Sequence, residues 1–264
     1  MQKIKIVTLN VGYYMFGGDF VKDPNHNLEN ICRRILDRFS RYNPDILCIQ
    51  EDLIIKNSPI FESIYNEYGY KKINYCESFP LGTAKLGNVI YSKIKVKKGF
   101  NIKNLDSGQK GCISSPRCAT SIVINGLKLA NVHLCGGPLD NKGVIENKIN
   151  SRLREKNIRK VVEMGVDIIV GDLNSSYCVN YGNIEKVNKF DEWRESALEY
   201  LFKNGYKSAY KYYKTGTTFI RKNCVFDWVF FKNVQVNKTK IIRFYGKNIK
   251  MLSDHHAILV EILC

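Results

Sequence analysis

Residues 167–174 read Asp-Ile-Ile-Val-Gly-Asp-Leu-Asn, an apolar run that is followed by a glycine, a carboxylate and an amide. A short apolar run with polar boundaries is typical of a strand that is buried on both faces. Because a carboxylate is costly to bury unless it is paired or bound to a metal, Asp172 is a candidate functional residue, together with Asn174. A Gly-Asp sequence also suits an ordinary turn, so this stretch alone leaves both interpretations open.

Polar residues of the same kind stand at the ends of other apolar strand patterns. They are Asn10 after Ile-Val-Thr-Leu, Glu51 after Leu-Cys-Ile-Gln, His133 after Leu-Ala-Asn-Val, and Asp254 with His255 before Ala-Ile-Leu-Val. Taken singly, Glu51 also suits a cap, His133 a hydrogen-bonded core histidine, and Asp254 a turn. Since the same type of residue recurs at the same place on each strand, we expect the strand ends to converge on one site.

Asp227 stands inside the aromatic strand pattern at 226–231 and therefore needs a polar partner. A histidine that is oriented through its second ring nitrogen is the obvious partner. Carboxylate and amide oxygens are the ligands of Mg²⁺ or Mn²⁺, and histidines transfer protons near neutral pH. The chain contains neither a G-x-S-x-G nucleophile motif nor a P-loop, so the residue types favour metal-assisted hydrolysis of a phosphodiester.

Strand and helix patterns alternate along the chain, which predicts one α/β domain over residues 1–264, with strands in two packed sheets and helices outside. Predicted helices cover 28–39, 61–68, 146–164 and 190–202. Predicted strands cover 4–10, 46–49, 88–91, 120–124, 127–134, 167–170, 226–231 and 257–263. Asn125-Gly126 predicts a hairpin, and the polar stretch 104–116 predicts a long surface loop.

The motifs, taken in order, resemble those of the endonuclease/exonuclease/phosphatase superfamily, which includes deoxyribonuclease I. They are Thr-Leu-Asn (8–10), Ile-Gln-Glu (49–51), Leu-Gly-Asn-Val-Ile-Tyr-Ser-Lys (86–93), Asn-Val-His-Leu (131–134), Gly-Asp-Leu-Asn (171–174), Phe-Asp-Trp (226–228) and Ser-Asp-His (253–255). The resemblance implies a four-layer α/β sandwich with two mixed sheets, and a site at one end of the sheets.

The resemblance also implies a role for each matched residue. The implied metal ligands are Glu51, Asn10 and Asp254, and the residues for the attacking water are Asp172 and Asn174. The implied phosphate contact is His255, oriented by Asp227, and the second catalytic histidine is His133. Further implied phosphate contacts are Asn88 and Arg117. The implied cofactor is Mg²⁺, with Mn²⁺ as a substitute. Val-Phe-Asp-Trp-Val-Phe-Phe (225–231) departs from the abasic-endonuclease pattern and is closer to the tyrosyl-DNA phosphodiesterase and deoxyribonuclease branches.

The spacing of the cysteines and the first residues of the sequence indicate the cellular compartment of the protein. The nine cysteines form no C-x-x-C pair, residues 1–6 contain no apolar secretion segment, and no apolar run is long enough to span a membrane. We therefore expect reduced thiols and an intracellular protein, cytoplasmic or nuclear and not secreted.

The net charge of +16 indicates a polyanionic partner. Lysines and arginines dominate residues 93–129 and 201–264, and tyrosines are interleaved at 206, 210, 212 and 213. We expect a monomeric hydrolase of nucleic acid, of DNA rather than RNA, with no transmembrane segment. Three alternatives stay open: a phosphoesterase of a lipid or small substrate (sphingomyelinase or inositol-phosphate phosphatase type), a non-catalytic nucleic-acid-binding relative, and a lysine-rich surface that only provides solubility.

Overall fold

A computed structural model describes residues 2–12, 28–81, 84–105, 117–136, 144–175, 196–209, 218, 225–244 and 252–264 of the chain. The helices in these ranges are α1 (Leu28–Ser40), α2 (Glu62–Glu67), α3 (Val144–Glu163) and α4 (Ser196–Lys203). The strands are β1 (Lys3–Asn10), β2 (Ile46–Ile55), β3 (Ser58–Pro59), β4 (Lys71–Leu81), β5 (Ala84–Ser92), β6 (Lys97–Leu105), β7 (Arg117–Ile124), β8 (Leu127–His133), β9 (Ile168–Asp172), β10 (Lys207–Ser208), β11 (Asp227–Phe231), β12 (Gln235–Ile242) and β13 (Ala257–Leu263).

The strands form two mixed sheets. A 7-stranded sheet has the order β12-β13-β1-β2-β5-β4, with β3 paired to β2, and a 6-stranded sheet has the order β10-β11-β9-β8-β7-β6. Each sheet contains a parallel pair, β1 with β2 and β8 with β9. Parallel neighbours need a crossover connection, and α1 and α3 provide it in the two sheets.

Two apolar clusters define the layers. One cluster joins inner residues of both sheets, such as Ile6 and Val132, and continues to Ile158 of α3 and Leu198 of α4. The other joins the opposite face of the seven-stranded sheet to α1 and α2. Helix α1 packs through the residues that the helical spacing predicts, namely Ile31, Cys32, Ile35, Leu36 and Phe39. The arrangement is the expected four-layer α/β sandwich.

The sequence patterns did not predict five strands: β4, β6, β10 and β12, which lie at the outer edges of the two sheets, and the two-residue β3, which pairs with β2. Edge strands in natural proteins carry exposed charged residues, which hide the apolar alternation of a buried strand. β12, for example, reads Gln-Val-Asn-Lys-Thr-Lys-Ile-Ile and is mostly exposed or half-buried. The loop predicted over 104–116 is wrong at its start, because β6 continues to Leu105. Residues 106–116 and the first part of the predicted 190–202 helix lie outside the described residues.

The described cysteines and helices bear on two predictions, that the thiols are reduced and that the chain has no transmembrane segment. Cys48, Cys76, Cys118 and Cys264 are free thiols. Among the described helices, none has the length and apolar character that a membrane crossing requires.

A glycine is required where β8 and β9 pair beside the site. Gly171 has φ of 133°, and a Cβ there would meet the Val132 carbonyl oxygen at 2.0 Å. We expect Gly171→Ala to lower the free energy of unfolding by about 3 kcal/mol, because backbone atoms of two central strands would have to move. Gly126→Ala is the control, since its φ is 87° but no atom lies within 4 Å of a new Cβ. It should cost only about 1 kcal/mol; equal losses in chemical denaturation would contradict the steric explanation.

Candidate active site

The polar strand ends meet at one edge of the sandwich. β1 ends at Asn10 and β9 at Asp172, and a hydrogen bond of 2.9 Å joins the Asn10 Nδ2 to the Asp172 Oδ2. These strands belong to different sheets, so this bond connects the two halves of the site. The Asp172 Oδ1 accepts the Asn174 backbone N–H at 2.9 Å, and the Asn10 Oδ1 accepts the Gly12 N–H at 2.9 Å. Asp172 is therefore fixed from both sides.

His255 is held by Asp227, as the aromatic strand pattern predicted. The His255 Nδ1 lies 2.8 Å from the Asp227 Oδ2, and the Nε2 faces Asp172 and Asp254 at 3.9 Å each. Burial alone would lower the pKa of His255, but the carboxylates around it, Asp227 first, outweigh burial and raise this pKa to about 10. The ring is therefore an imidazolium at neutral pH, with its Nε2–H directed into the site.

Glu51, His133 and Arg117 form the other side of the site. The His133 Nε2 lies 3.8 Å from the Glu51 Oε1 and 3.6 Å from the Asp172 Oδ2, and the Arg117 Nη1 lies 4.0 Å from the Glu51 Oε1. Burial raises the pKa of Glu51 to about 7, against the opposing effects of Arg117 and His255. Burial, with the nearby cations, lowers the pKa of His133 well below its usual range. The two histidines therefore differ in charge: His133 is neutral and His255 is cationic.

Solved structures share this fold over their full lengths. A structure titled as an endonuclease/exonuclease/phosphatase from Bacteroides vulgatus is 18% identical, with a TM-score of 0.65 over 100% of this chain and 99% of that chain. A protein of the same description from Leptotrichia buccalis is 18% identical, with a TM-score of 0.62 over 99% and 100%. D. rerio TDP2 in complex with a single-stranded DNA product is 17% identical, with a TM-score of 0.60 over 100% of both chains.

This chain has the endonuclease/exonuclease/phosphatase fold. No protein-family profile and no curated protein matches the sequence. The resemblance carried by the ordered motifs is therefore confirmed at the level of the fold, and the residue roles stay predictions.

Most of the predicted residues are joined by the contacts above into one cluster at this end of the endonuclease/exonuclease/phosphatase fold. The members are Asn10, Glu51, Arg117, His133, Asp172, Asn174, Asp227, Asp254 and His255. Asn174 lies at its margin, where the Nδ2 donates to the Leu134 carbonyl at 3.0 Å. Asp254 lies against Gly12, since a Cβ on Gly12 would meet the Asp254 Oδ1 at 2.7 Å.

Asn88 is fully buried and lies between the two sheets. Its Nδ2 donates to the carbonyls of Cys118 at 2.9 Å and Asn131 at 3.2 Å. Both amide hydrogens are thus used within the protein, and the predicted phosphate contact of Asn88 stays a prediction. Asn131 also forms a hydrogen bond between the two sheets, because its Oδ1 accepts from the Gln50 Nε2 at 2.6 Å.

Two residues that support the cluster were not assigned a role from the sequence. The Thr218 hydroxyl accepts the Asp227 N–H at 3.1 Å, and the Thr218 carbonyl accepts the His256 N–H at 2.7 Å. The Ser253 hydroxyl donates to the Asn10 carbonyl at 2.8 Å and accepts the His255 N–H at 3.0 Å. Ser253 precedes Asp254 in the Ser-Asp-His motif, which was a signal for it, whereas no sequence pattern distinguishes Thr218.

One of the tyrosines interleaved with the basic residues, Tyr206, is not available to a nucleic-acid strand. Tyr206 is buried in the core cluster, and its hydroxyl donates to the Val166 carbonyl. It therefore cannot stack on a nucleic-acid base, because its ring is already covered by apolar side chains. Tyrosines 210, 212 and 213 lie outside the described residues.

The cluster has the donor set that a hard divalent cation requires. Carboxylates of Glu51, Asp172, Asp227 and Asp254 are all at least 95% buried within it. Asp172, Asp227 and His255 each offer an atom within 4.8 Å of the others. Because the Asp227–His255 pair is already hydrogen-bonded, it suits the orientation of a ring better than metal binding. Among the described residues, the Glu51 Oε2 is buried and accepts no hydrogen bond. This oxygen is available to a cation, so the residues fit Mg²⁺.

Proposed function

We propose that this chain is a divalent-metal-dependent phosphodiesterase that hydrolyses nucleic acid, as a DNA endonuclease or a DNA-end-processing enzyme. The observation that supports it best is the position of the Asp172 carboxylate, which is fixed by Asn10 and Asn174 and lies within 4 Å of both His133 and His255. A buried carboxylate between a neutral and a cationic histidine suits attack of water on phosphorus.

Glu51, with Asn10 and Asp254, would hold Mg²⁺ in this proposal. When bound, the cation would neutralise negative charge on a phosphate oxygen. Glu51 has a buried carboxylate oxygen that accepts no hydrogen bond, and Asn10 has an amide oxygen with one further lone pair.

The protein's own groups would divide the remaining chemistry. Asp172 would orient the attacking water and accept its proton, and Asn174 would support that water or the phosphate. The His255 Nε2–H would donate to a phosphoryl oxygen as negative charge develops there, since Asp227 keeps the ring protonated and oriented. His133, which is neutral, would donate a hydrogen bond or relay a proton without attracting the phosphate by charge.

The charge of the chain favours nucleic acid over a small substrate. A net charge of +16 attracts a phosphate backbone, and releasing its counterions favours binding. The likeness to TDP2, which was solved with a single-stranded DNA product, supports DNA. We also propose that the protein acts as an intracellular monomer.

The experiment is hydrolysis of plasmid DNA and of a labelled single-stranded oligonucleotide with Mg²⁺, Mn²⁺ or EDTA. We expect cleavage with either metal and none in EDTA or in Asp172→Ala. Turnover of sphingomyelin or of an inositol phosphate, with inert DNA and RNA, would replace the nuclease proposal with the lipid or small-substrate alternative. DNA binding without any hydrolysis would replace it with a binding role.

Glu51→Gln keeps the shape of the side chain but removes its charge. We expect the Mg²⁺ concentration for half-maximal activity to rise at least about 10-fold, because a charged metal ligand is lost. The measurement is oligonucleotide cleavage over a range of Mg²⁺ concentrations. Glu77→Gln, at an exposed ion pair with Lys85, is the control and should leave the curve unchanged. An unchanged curve for Glu51→Gln would remove this residue from the metal site.

A further inference from the structure

Asp52 is a second buried carboxylate directly after Glu51. It is 0% exposed. The Oδ2 accepts the Tyr91 hydroxyl at 2.8 Å, and the Oδ1 accepts the Leu53 N–H at 3.0 Å. Both partners belong to the apolar cluster beneath α1 and α2. An apolar residue would fill this position without the cost of burying a carboxylate, so packing alone does not explain an aspartate there.

The backbone at Glu51 departs from regular strand geometry. Glu51 has φ of 59°, in the left-handed region that a non-glycine residue rarely adopts. The pairing of β2 with β5 shifts register between Ile49 and Asp52, which is a bulge. Bulges re-aim side chains, and a strained residue keeps its conformation only when its surroundings impose it. Asp52 is the first residue of β2 that is again in register with β5, where it pairs with Gly87.

Tyr91 connects this bulge to the helix layer. Its ring stacks on that of Tyr65 in α2, with 3.8 Å between ring centroids and 6° between the planes. Tyr91 lies on β5, the strand that pairs with β2 on both sides of the bulge. Helix α2, through Tyr65 and Tyr91, therefore fixes the position of the Asp52 carboxylate.

We propose that Asp52 and Tyr91 are positioning residues that hold the bulge at Glu51 and so aim the Glu51 carboxylate at a divalent cation. The proposal rests on the metal-dependent function proposed above. Two hydrogen bonds on Asp52 fix the residue that follows Glu51, and the Asn131 Nδ2 fixes the Ile49 carbonyl before it at 2.9 Å. The strained residue is thus held on both sides.

The test compares Tyr91→Phe with Tyr70→Phe. Each substitution removes one buried tyrosine hydroxyl from the same apolar cluster, and that of Tyr70 donates to the Pro44 carbonyl at 2.8 Å, away from the bulge. The readout is the dissociation constant for Mn²⁺, measured by calorimetry without any substrate, together with thermal unfolding. We expect both variants to lose stability, and only Tyr91→Phe to weaken Mn²⁺ binding, by about 5-fold or more.

Asp52→Leu is the second variant. It removes the buried carboxylate and fills its volume but takes away the acceptor of the Tyr91 hydroxyl, so we expect a loss of thermal stability. Mn²⁺ binding should again weaken about 5-fold or more. If the folded Tyr91→Phe protein binds Mn²⁺ within twofold of the parent while Glu51→Gln binds it weakly, the positioning proposal alone is overturned. If the parent protein binds no Mn²⁺, the metal-dependent function fails and the positioning proposal fails with it.

Discussion

Asp172→Asn should reduce the kcat for oligonucleotide cleavage by about 10³-fold or more at saturating Mg²⁺. The amide keeps the shape of the side chain and one acceptor oxygen for the Asn174 N–H, which the carboxylate accepts at 2.9 Å. It loses the charge and the ability to take a proton from water. Loss of a general base costs about 10²–10⁴-fold, and loss of an electrostatic contact costs about 10²–10³-fold. The substrate KM should change much less, because no substrate-holding cation is removed.

The control for Asp172→Asn is Glu155→Gln on the outer surface of α3, where Glu155 pairs with Arg159 four residues on. That variant should cleave at the parental rate. Thermal unfolding of both proteins shows whether they are folded. A folded Asp172→Asn enzyme with more than a tenth of the parental kcat would mean that another group activates the water.

His255→Ala should lower kcat by about 10²-fold or more, since it removes the imidazolium that, in the proposed function, would face the developing charge on phosphorus. Asp227→Asn should cost less, about 10-fold to 100-fold. It leaves the ring present but removes the carboxylate that bonds the Nδ1 at 2.8 Å and is the main cause of the raised pKa. Single-turnover cleavage, which excludes product release, is the appropriate measurement.

The neighbouring histidine provides a matched control. The His256 Nδ1 accepts the Phe244 N–H at 3.1 Å, and an asparagine oxygen can take over that hydrogen bond. His256→Asn should therefore keep kcat within about threefold, because no transition-state contact is removed. Equal losses in His255→Ala and His256→Asn would indicate damage to the shared turn rather than loss of a phosphate contact.

The buried strands and the meeting of polar strand-end residues in one cluster were predictable, because burial leaves a strong signal in the sequence. A polar residue after an apolar strand, as at Asn10 or Asp172, costs free energy to bury unless it is hydrogen-bonded, paired or bound to a metal. Asn125-Gly126 likewise predicted its hairpin correctly, between β7 and β8. These are local signals that depend on few neighbours.

The direction of the side chains was not predictable in the same way. Strand alternation does not predict the direction of the Glu51 side chain, because the strand has a bulge there and Glu51 itself adopts a left-handed backbone conformation. Thr218 contacts both Asp227, nine residues further on, and the more distant His256, and no short sequence motif signals these hydrogen bonds. The exposed edge strands, such as β12, resemble loops in composition because water covers one side of them.

The hairpin at Asn125-Gly126 has a practical consequence for experiments on this protein. β8 runs from that turn to His133 over seven residues, so the turn lies about 23 Å from the end of the sheets that carries the polar cluster. Both turn residues are exposed, and a Cβ on Gly126 would contact nothing within 4 Å. A fluorophore or a surface attachment placed there would lie at the end of β8 opposite the polar cluster.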